Sequence, residues 1–335
     1  MKILVTGGAG FIASNFIRYI HSKHPDYQVI NLDNLTYAGN LENLEDVSNQ
    51  SFYRFVKGDI TDASLVGEEL KEGVDVLVNF AAESHVDRSI YDASSFIRTN
   101  ILGTQVLLEA SNKYKVGRFV QISTDEVYGS LGPEGFFTES SPLHPNSPYS
   151  ASKAGADLLV MSYHETFKLP VVITRSSNNY GAYQFPEKFI PLFITNAIAD
   201  EMLPLYGKGL NVRDWLHVED HCSAIDLVLH QGKEGEVYNI GANCEKTNLE
   251  VSQAILKELN KPESLIKFVK DRLGHDQRYA LDATKIKQEL DWCPSHSFEE
   301  GVRQTIAWYR ENTSWWKKIK SGEYRHYYQK MYGNR

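Results

Sequence analysis

The sequence of 335 residues has no long hydrophobic run, no excess of positive charge and no paired cysteine pattern. No apolar stretch approaches the roughly 18 residues that a membrane-spanning helix needs, and glycines soon follow the first apolar residues, so we expect neither a membrane span nor a signal peptide. A formal net charge of -8 argues against general binding to nucleic acid or to an anionic membrane. Cys222, Cys244 and Cys293 are odd in number and widely spaced, which favours reduced thiols, no metal site and a cytoplasmic protein.

Hydrophobic patterning indicates an α/β protein of ordinary composition, with 42% hydrophobic and 23% charged residues. Strand patterns alternate with helical ones, among them a long helix over about 93–114, and this alternation predicts a Rossmann-type doubly wound parallel sheet. We expect residues 1–180 to form an NAD-binding domain that carries the catalytic residues. Residues 181–335 are then a smaller, mainly substrate-binding C-terminal domain, some of whose elements return to the sheet. The predicted strands cover residues 2–6, 28–32, 52–57, 74–80, 118–123 and 171–175.

A glycine-rich turn follows the first predicted strand. Gly8, Gly10 and Ala13 fit the dinucleotide-binding pattern, in which glycine lets main-chain amides approach a pyrophosphate at a helix N-terminus. The second strand ends at Asp33, whose carboxylate would accept hydrogen bonds from the adenosine ribose and repel a 2'-phosphate, so we predict NAD and not NADP. A glycine turn followed by a capping aspartate is the structural alternative. Two further loops after strands, 58–60 and 81–85, should meet the adenine and the nicotinamide.

The stretch from 121 to 153 carries the predicted chemistry. Tyr149 and Lys153 lie four residues apart on a predicted helix that begins with Ser147 as N-cap and Pro148, so they share one face. A neighbouring cation favours the ionised phenol, which makes Tyr149 a candidate base. The preceding strand ends in Thr124, Asp125 and Glu126, a hydroxyl and two carboxylates at the edge where parallel sheets bind ligands. A chance Tyr/Lys pair on a solvated helix and ordinary turn carboxylates are the alternatives.

Eight motifs occur in order along the chain: TGGAGFIA, LDNLTYAGN, NFAAESHVDRS, ISTDEVYG, SPYSASKA, RSSNNYGAYQFPEKFIPLFI, NVRDWLHVEDH and LGHDQRYALD. Together they resemble the extended short-chain dehydrogenase/reductases and, within them, the dTDP-glucose 4,6-dehydratase family. The resemblance implies dehydration of dTDP-glucose to dTDP-4-keto-6-deoxyglucose, a precursor of deoxysugars such as rhamnose, on one tightly held NAD. It also implies a homodimer formed through the helices near 93–114 and 148–167.

The resemblance assigns a role to each residue of the predicted site. Tyr149, assisted by Lys153 and with Thr124 bonding the same oxygen, would remove the C4 hydroxyl proton while hydride passes to the nicotinamide. Glu126 would then remove the C5 proton and Asp125 would protonate the leaving C6 hydroxyl, after which hydride returns to C6. The two carboxylates need different protonation states, and their order is not readable from the sequence.

Residues for the two ligands also follow from the resemblance. Arg213 and Arg272 are sensible on their own as phosphate ligands, since guanidinium groups match phosphate oxygens, although surface arginines are the alternative. The resemblance implies a cofactor site of Gly7, Gly10, Phe11, Ile12, Asp33, Asn34, Leu35, Thr36, Asp59, Ile60, Ala81, Ala82, Ser84, Thr99, Tyr149, Lys153 and Asn179. It implies a substrate site of Ser84, Thr124, Asn178, Lys188, Phe189, Pro204, Leu205, Tyr206, Arg213, Asn248, Arg272 and His275.

Three other functions compete with the dehydratase. A nucleotide-sugar 4-epimerase moves hydride but eliminates nothing, so it has no use for an acid and a base at Asp125 and Glu126. A UDP-glucuronate decarboxylase would bind a substrate carboxylate, which two facing anions oppose. A non-catalytic NAD-sensing protein needs no poised base, so the set of Thr124, Tyr149 and Lys153 argues against it.

Overall fold

A parallel seven-stranded sheet forms the centre of the protein, whose computed structural model describes residues 1–321. Residues 322–335, the end of the predicted second domain, lie outside the described residues. The strands are β1 (Lys2–Thr6), β2 (Gln28–Asp33), β3 (Tyr53–Lys57), β4 (Val76–Asn79), β5 (Arg118–Thr124), β6 (Val171–Ser176), β7 (Asn178–Tyr180), β8 (Leu203–Tyr206), β9 (Val212–His217), β10 (Glu236–Ile240), β11 (Glu245–Thr247) and β12 (Ile266–Val269).

The strand order of the central sheet is β10-β6-β5-β4-β1-β2-β3, and every neighbouring pair is parallel. Six of these strands have the order 3-2-1-4-5-6 that is typical of a doubly wound dinucleotide-binding fold, so the predicted fold class is confirmed. The seventh strand, β10, comes from the C-terminal half of the chain and pairs with β6.

The helices are α1 (Phe11–Lys23), α2 (Ala63–Lys71), α3 (Val86–Tyr91), α4 (Ser94–Phe96), α5 (Thr104–Tyr114), α6 (Pro148–Phe167), α7 (Phe189–Ile198), α8 (Val218–Gln231), α9 (Asn248–Leu259), α10 (Thr284–Leu290), α11 (Phe298–Glu311) and α12 (Thr313–Ser321). Short 3₁₀ segments cover 41–44, 125–128 and 263–265. None of these helices is both long and apolar enough to cross a membrane, within the part of the chain that the structure describes.

Alternating side chains of the sheet enter two separate cores. Ile3 and Val5 of β1 pack with α1, α8 and α10 on one face, while Leu4 between them packs with α2, α5 and α6 on the other. Both faces are therefore covered by helices, as a parallel sheet requires. A third core joins α7, α9, α11 and α12 around the small sheets β11-β9-β7 and β12-β8.

The helix expected over about 93–114 is not one regular α-helix. A π-helical segment, 97–103, separates α4 from α5. The Thr104 hydroxyl donates to the main-chain oxygen of Asn100 at 2.8 Å, and a side-chain donor of this kind disturbs the regular helical ladder. The π segment also carries Thr99 to the wall of the central cavity, and such segments often occur at functional sites.

Candidate active site

The loop after β1 is shaped by glycine. Gly7 has a φ of +69°, and a Cβ at this position would lie 2.8 Å from the main chain of Ala81. Its amide donates to Leu32 at 2.8 Å, and the Gly10 amide donates back to Gly7 at 3.0 Å. Gly10 is the N-cap residue of α1, so the free amides of the first helical turn face the same opening. The loops after β1 and β4 therefore lie so close together that no side chain fits at position 7.

Asp33 holds two loops in place with its buried carboxylate. Oδ2 accepts from the amide of Ala9 at 2.9 Å and Oδ1 accepts from the amide of Leu35 at 2.7 Å. Burial raises the pKa of Asp33, and the two amide bonds offset part of this effect. A carboxylate offers about four lone-pair sites, so further donors can still be accepted. The residue therefore braces the loop as well as facing the cavity, which the sequence did not reveal.

One cavity of about 330 Å³ runs along the carboxyl ends of the central strands. It brings together residues from the loops after β1, β2, β3, β4, β5 and β6. Of the residues expected to bind the cofactor, all except Leu35 line it, namely Gly7, Gly10, Phe11, Ile12, Asp33, Asn34, Thr36, Asp59, Ile60, Ala81, Ala82, Ser84, Thr99, Tyr149, Lys153 and Asn179. Leu35 contributes its amide to Asp33 instead.

The five residues expected to be catalytic line the same cavity. Helix α6 begins where predicted, because Ser147 and Ser150 form a reciprocal capping box and Pro148 occupies the first turn. This cap sets the register that turns Tyr149 and Lys153 inward, and both side chains are buried. Thr124 forms a side-chain hydrogen bond with Tyr149, so the phenol, the hydroxyl and the end of β5 meet at one point.

The expectation that neighbouring side chains lower the pKa of Tyr149 is wrong. Burial raises the pKa of Tyr149, the nearby charge of Glu126 raises it further, and the Thr124 hydrogen bond offsets only part of the rise. Lys153 directs its Nζ to the main-chain oxygen of Ile122, at 2.6 Å. The surrounding side chains therefore hold Tyr149 as a protonated phenol.

Lys153 has a carboxylate neighbour that the sequence analysis missed. Burial lowers the pKa of Lys153 to about 8, and the charge of Asp157 opposes this decrease. Asp157 is itself paired with Arg175 at 2.9 Å. The signal was present, since Asp157 follows Lys153 by four residues on the same helix.

Asp125 and Glu126 occupy different environments. Asp125 is 2% exposed, and burial followed by the charge of Glu126 raises its pKa well above the usual range. Burial also raises the pKa of Glu126, and the cations Arg272, Arg213 and Lys188 offset only part of this rise. The pKa values of both carboxyl groups are thus raised, and that of Asp125 is raised more strongly because three cations oppose the rise at Glu126.

Unpaired polar atoms mark the wall of this part of the cavity. Oδ2 of Asp125, Oδ1 of Asn178 and Oγ of Ser123 are buried and have no hydrogen-bond partner within residues 1–321. Buried polar atoms are nearly always hydrogen-bonded in proteins, so each such atom requires an explanation. All three residues line the cavity, where a bound ligand would supply the partners.

The residues expected to bind substrate fall into two groups. Ser84, Thr124, Asn178 and Lys188 line the cavity, and Lys188 donates to the main-chain oxygen of Ser84 at 2.7 Å. The second group lies outside the cavity lining and comprises Phe189, Pro204, Leu205, Tyr206, Arg213, Asn248, Arg272 and His275.

The second group is partly held by carboxylates. Tyr206 donates to Asp87 at 3.0 Å, and Arg272 lies 3.9 Å from the same carboxylate. His275 lies 2.6 Å from Asp271. Arg213 is buried, with its guanidinium 4.3 Å from the ring centre of Tyr279, so it is not the surface arginine of the alternative interpretation.

A cluster at the cavity wall was missed by the sequence analysis. Arg88 bonds Glu187 at 3.0 Å and lies 3.8 Å from the ring centre of Tyr37. Tyr37, Glu83 and Glu187 all line the cavity. Tyr37, Arg88 and Glu187 each belong to one of the quoted motifs, LDNLTYAGN, NFAAESHVDRS and the one that contains YQFPEK, which was the available signal, but these motifs lie far apart in the chain.

A dinucleotide-type cavity that opens onto a buried tyrosine, a lysine on the same helix and a threonine hydroxyl defines the class of extended short-chain dehydrogenase/reductases. The family described as GDP-mannose 4,6 dehydratase matches residues 4–305. The chain belongs to this family, in its branch of dTDP-glucose 4,6-dehydratases.

Similar proteins agree over nearly the whole chain. A dTDP-glucose 4,6-dehydratase of Streptomyces niveus is 54% identical over 325 residues, which cover 96% of each protein. The crystal structure of a dTDP-glucose 4,6-dehydratase from Streptomyces venezuelae with NAD is 54% identical, with a TM-score of 0.93, covering 96% of this chain and 100% of that one. A UDP-glucose 4-epimerase from Thermotoga maritima is 30% identical, with a TM-score of 0.87, covering 93% and 100%.

Proposed function

We propose that this protein is an NAD-dependent lyase that dehydrates dTDP-glucose to dTDP-4-keto-6-deoxyglucose, a precursor of deoxysugars. One observation carries the proposal beyond the family. Two adjacent carboxyl groups lie beside a buried tyrosine, and the pKa of Asp125 is raised more strongly than that of Glu126, where three cations offset part of the rise. Elimination of water needs an acid and a base at neighbouring carbons, and epimerisation needs neither.

NAD fits the cavity of this chain. The cradle formed by Gly7 and Ala81 has no space for a side chain, and the amides at the start of α1 favour a pyrophosphate. The free lone pairs of Asp33 suit the ribose hydroxyls and repel a phosphate. When bound, NAD would supply a hydride acceptor at C4 and return the hydride at C6.

Tyr149 acts in this scheme on the C4 hydroxyl of the sugar. The surrounding protein raises its pKa, so the phenol needs help to act as a base. Thr124 shares a hydrogen bond with the phenol and is placed to hold the same substrate oxygen. Lys153, charged below about pH 8, is the cation on the same helix that would favour the phenolate once substrate is bound, although its Nζ donates to Ile122 in this structure.

The two carboxyl groups act on C5 and C6 after C4 has become a ketone. Glu126, where Arg272, Arg213 and Lys188 offset part of the rise in pKa that burial causes, removes the C5 proton, which the ketone has made acidic. Asp125 donates its proton to the C6 oxygen, which leaves as water. Asp125 and Glu126 are adjacent on a short 3₁₀ turn, so the acid and the base can act on neighbouring carbon atoms of the sugar without exchanging positions.

We propose that the cations near Glu126 also bind the nucleotide diphosphate. Arg213 and Arg272 offset part of the rise in the pKa of Glu126, which lines the cavity. Their charges therefore act on the cavity although neither arginine lines it. Phe189, the β8 residues and Asn248 belong to the neighbouring elements that would enclose the base.

A homodimer through the α5 and α6 layer is part of the proposal. Large apolar side chains on this surface are exposed, namely Ile97 (55%), Leu102 (45%) and Leu158 (62%). A surface of this kind, built on the π segment before α5 and on α6, suits an interface between two copies. The three cysteines are unpaired, which agrees with a reducing cytoplasmic compartment.

Purified protein incubated with dTDP-glucose tests the proposed reaction. We expect a 4-keto-6-deoxy product without added NAD, since the cofactor is regenerated in each turnover. UDP-glucose and UDP-galactose serve as comparison substrates, because an epimerase would interconvert them without losing water. Interconversion of these sugars with no keto product from dTDP-glucose would make the protein an epimerase instead.

A further inference from the structure

Two histidines and an aspartate meet at the opposite edge of the central sheet from the cavity. Helix α1 starts at the carboxyl edge, where Gly10 caps it, and ends with His24 at the amino edge. Asp226 and His230 lie four residues apart in the last turns of α8, which packs beside α1 and precedes β10. Four residues apart on a helix places both on one face, toward His24.

Their donor atoms are close to the spacing of metal ligands. Nε2 of His24 lies 2.9 Å from Oδ1 and 3.2 Å from Oδ2 of Asp226, and Nδ1 of His230 lies 3.0 Å from the same Oδ1. All three donor atoms lie within 4.8 Å of one another. Bonds of about 2.0–2.2 Å in a tetrahedral site separate two ligands by roughly 3.4 Å, so each histidine nitrogen needs to move away from Asp226 by only about half an ångström.

Tyr27 contacts the imidazole of His230 on the side that faces away from Asp226. Its hydroxyl lies 2.9 Å from Nε2 of His230, the ring nitrogen that faces away from Asp226. The Tyr27 ring also stacks on His24, with ring centres 4.6 Å apart and planes at 9°. Histidines that bind metals commonly donate their second N–H to an oxygen, which fixes the ring and its tautomer. Tyr27 therefore orients both histidines.

We propose that His24, Asp226 and His230 bind one zinc ion that links the end of α1 to α8. Two imidazoles and one carboxylate are ligands that zinc prefers, and the harder ions Mg²⁺ and Ca²⁺ prefer oxygen alone. The side chains are 28%, 13% and 25% exposed, which leaves a fourth position open to water.

Binding needs no net loss of protons from neutral imidazoles. In the absence of the ion, Nδ1 of His230 faces both Asp226 Oδ1 and, at 2.8 Å, the main-chain oxygen of Asp226. On binding, the proton of His230 moves to Nε2, where the Tyr27 oxygen accepts it, and the proton of His24 moves to Nδ1. The ion then connects segments that are 202 residues apart in the chain, and so stabilises the folded protein.

A second group of similar residues provides a matched control. His217, Glu219 and His296 also lie within 4.8 Å through their donor atoms. There, however, the Glu219 side chain is 64% exposed and its carboxylate lies 3.5 Å from His296, so one ligand would first have to be ordered. The His296 side chain already has a carboxylate partner in Asp220, at 3.0 Å.

Calorimetric titration of the full-length, untagged and chelator-treated protein with zinc chloride tests the site. The titration should show one zinc ion bound per chain. A thermal unfolding measurement should show a higher unfolding temperature with zinc chloride, and magnesium chloride should produce neither effect. His24→Gln and His230→Gln should each weaken zinc binding by about 100-fold or more, and Tyr27→Phe by about tenfold. His296→Gln should bind zinc as the wild type does.

X-ray absorption of the wild-type zinc complex gives an independent answer if a variant fails to fold. We expect two imidazoles and oxygen ligands, and a sulfur ligand would overturn the proposal. It would also be overturned by a wild type that binds no zinc, by a folded His24→Gln/His230→Gln variant that binds normally, or by loss of the ion in His296→Gln.

Discussion

The two ends of the central cavity are built in different ways. At the dinucleotide end, main-chain groups form the surface: Gly7 and Gly10 shape the turn, and Asp33 holds the loop amides. At the reaction end, the surface consists of buried ionisable side chains, with Asp125, Tyr149 and Lys153 all less than a tenth exposed. The first end is therefore sensitive to added volume, whereas the second is sensitive to single functional groups even where volume is conserved.

Electrostatics follows the same division. The pKa of Asp33 is raised by burial alone and partly restored by amide bonds, which is a structural use of a carboxylate. The pKa of Asp125 is raised by burial and by a second carboxylate, Glu126, with one oxygen left unpaired. Buried polar atoms without hydrogen-bond partners and neighbouring carboxyl groups that repel each other lower the stability of a protein. Their occurrence at the reaction end is typical of a reaction centre.

The largest effect is expected from Tyr149→Phe, which removes one oxygen and conserves the packing at the reaction end. Turnover should fall by about 10³–10⁴-fold, because the base that starts the reaction is lost. Product formation measures the effect, and Tyr163→Phe on the same helix is the control, since Tyr163 lies outside the cavity lining. A Tyr149→Phe enzyme within tenfold of the wild type would remove the tyrosine from the proposed chemistry.

Glu126→Gln should be the next largest change, with turnover reduced by about 10²–10³-fold. Oxidation at C4 remains possible while the base for C5 is lost, so reduced nicotinamide should accumulate on the enzyme. Stopped-flow absorbance of the reduced cofactor measures this, and Asp125→Asn should show a weaker form of the same behaviour. Accumulation in Tyr149→Phe and not in Glu126→Gln would reverse the two roles.

Lys153→Met should stabilise the protein although it slows the reaction. Burial lowers the pKa of Lys153 from 10.5 to about 8, so holding the charged form at pH 7 costs about 3 kcal/mol. Because the folded pKa lies below the unfolded one, this cost is full below pH 8 and disappears as the pH rises from 8 to 10.5.

The Lys153→Met gain in the free energy of unfolding should therefore be about 2–3 kcal/mol at pH 7, allowing for the lost bond to Ile122, and should vanish near pH 10.5. Chemical denaturation at the two pH values measures it. If Lys153→Met were less stable than the wild type at pH 7, burial of the charged lysine would not lower the free energy of unfolding as proposed.

Asp33→Asn should have the smallest effect, at the dinucleotide end. Removing the negative charge while keeping one acceptor for the loop amides should narrow the preference for NAD over NADP by about tenfold. Cofactor titration measures the ratio, with Asp59→Asn as the control inside the same cavity. An unchanged ratio would show that the carboxylate only braces the loop.

Local signals predicted much of the fold. The alternating strand and helix patterns predicted the parallel sheet, and Ser147 with Pro148 predicted the start of α6 to the residue. The π segment at 97–103 was not predictable, because sequence periodicity does not contain side-chain contacts such as the bond from Thr104 to the main chain of Asn100. The pairing of β10 with β6 likewise joins segments about 60 residues apart.

The sequence by itself determined the catalytic group and most of the cofactor residues of the cavity, because glycine turns, strand ends and the four-residue spacing of Tyr149 and Lys153 are local features. Only the tertiary structure decided the directions in which their pKa values shift. It buried Asp125 more deeply than Glu126, brought Arg213 and Arg272 near Glu126, and turned Lys153 toward Ile122 and not toward an acidified phenol. Desolvation, the distances between charges and the hydrogen bonds to the titrating groups arise when distant segments pack together, and these quantities set the pKa shifts of the site.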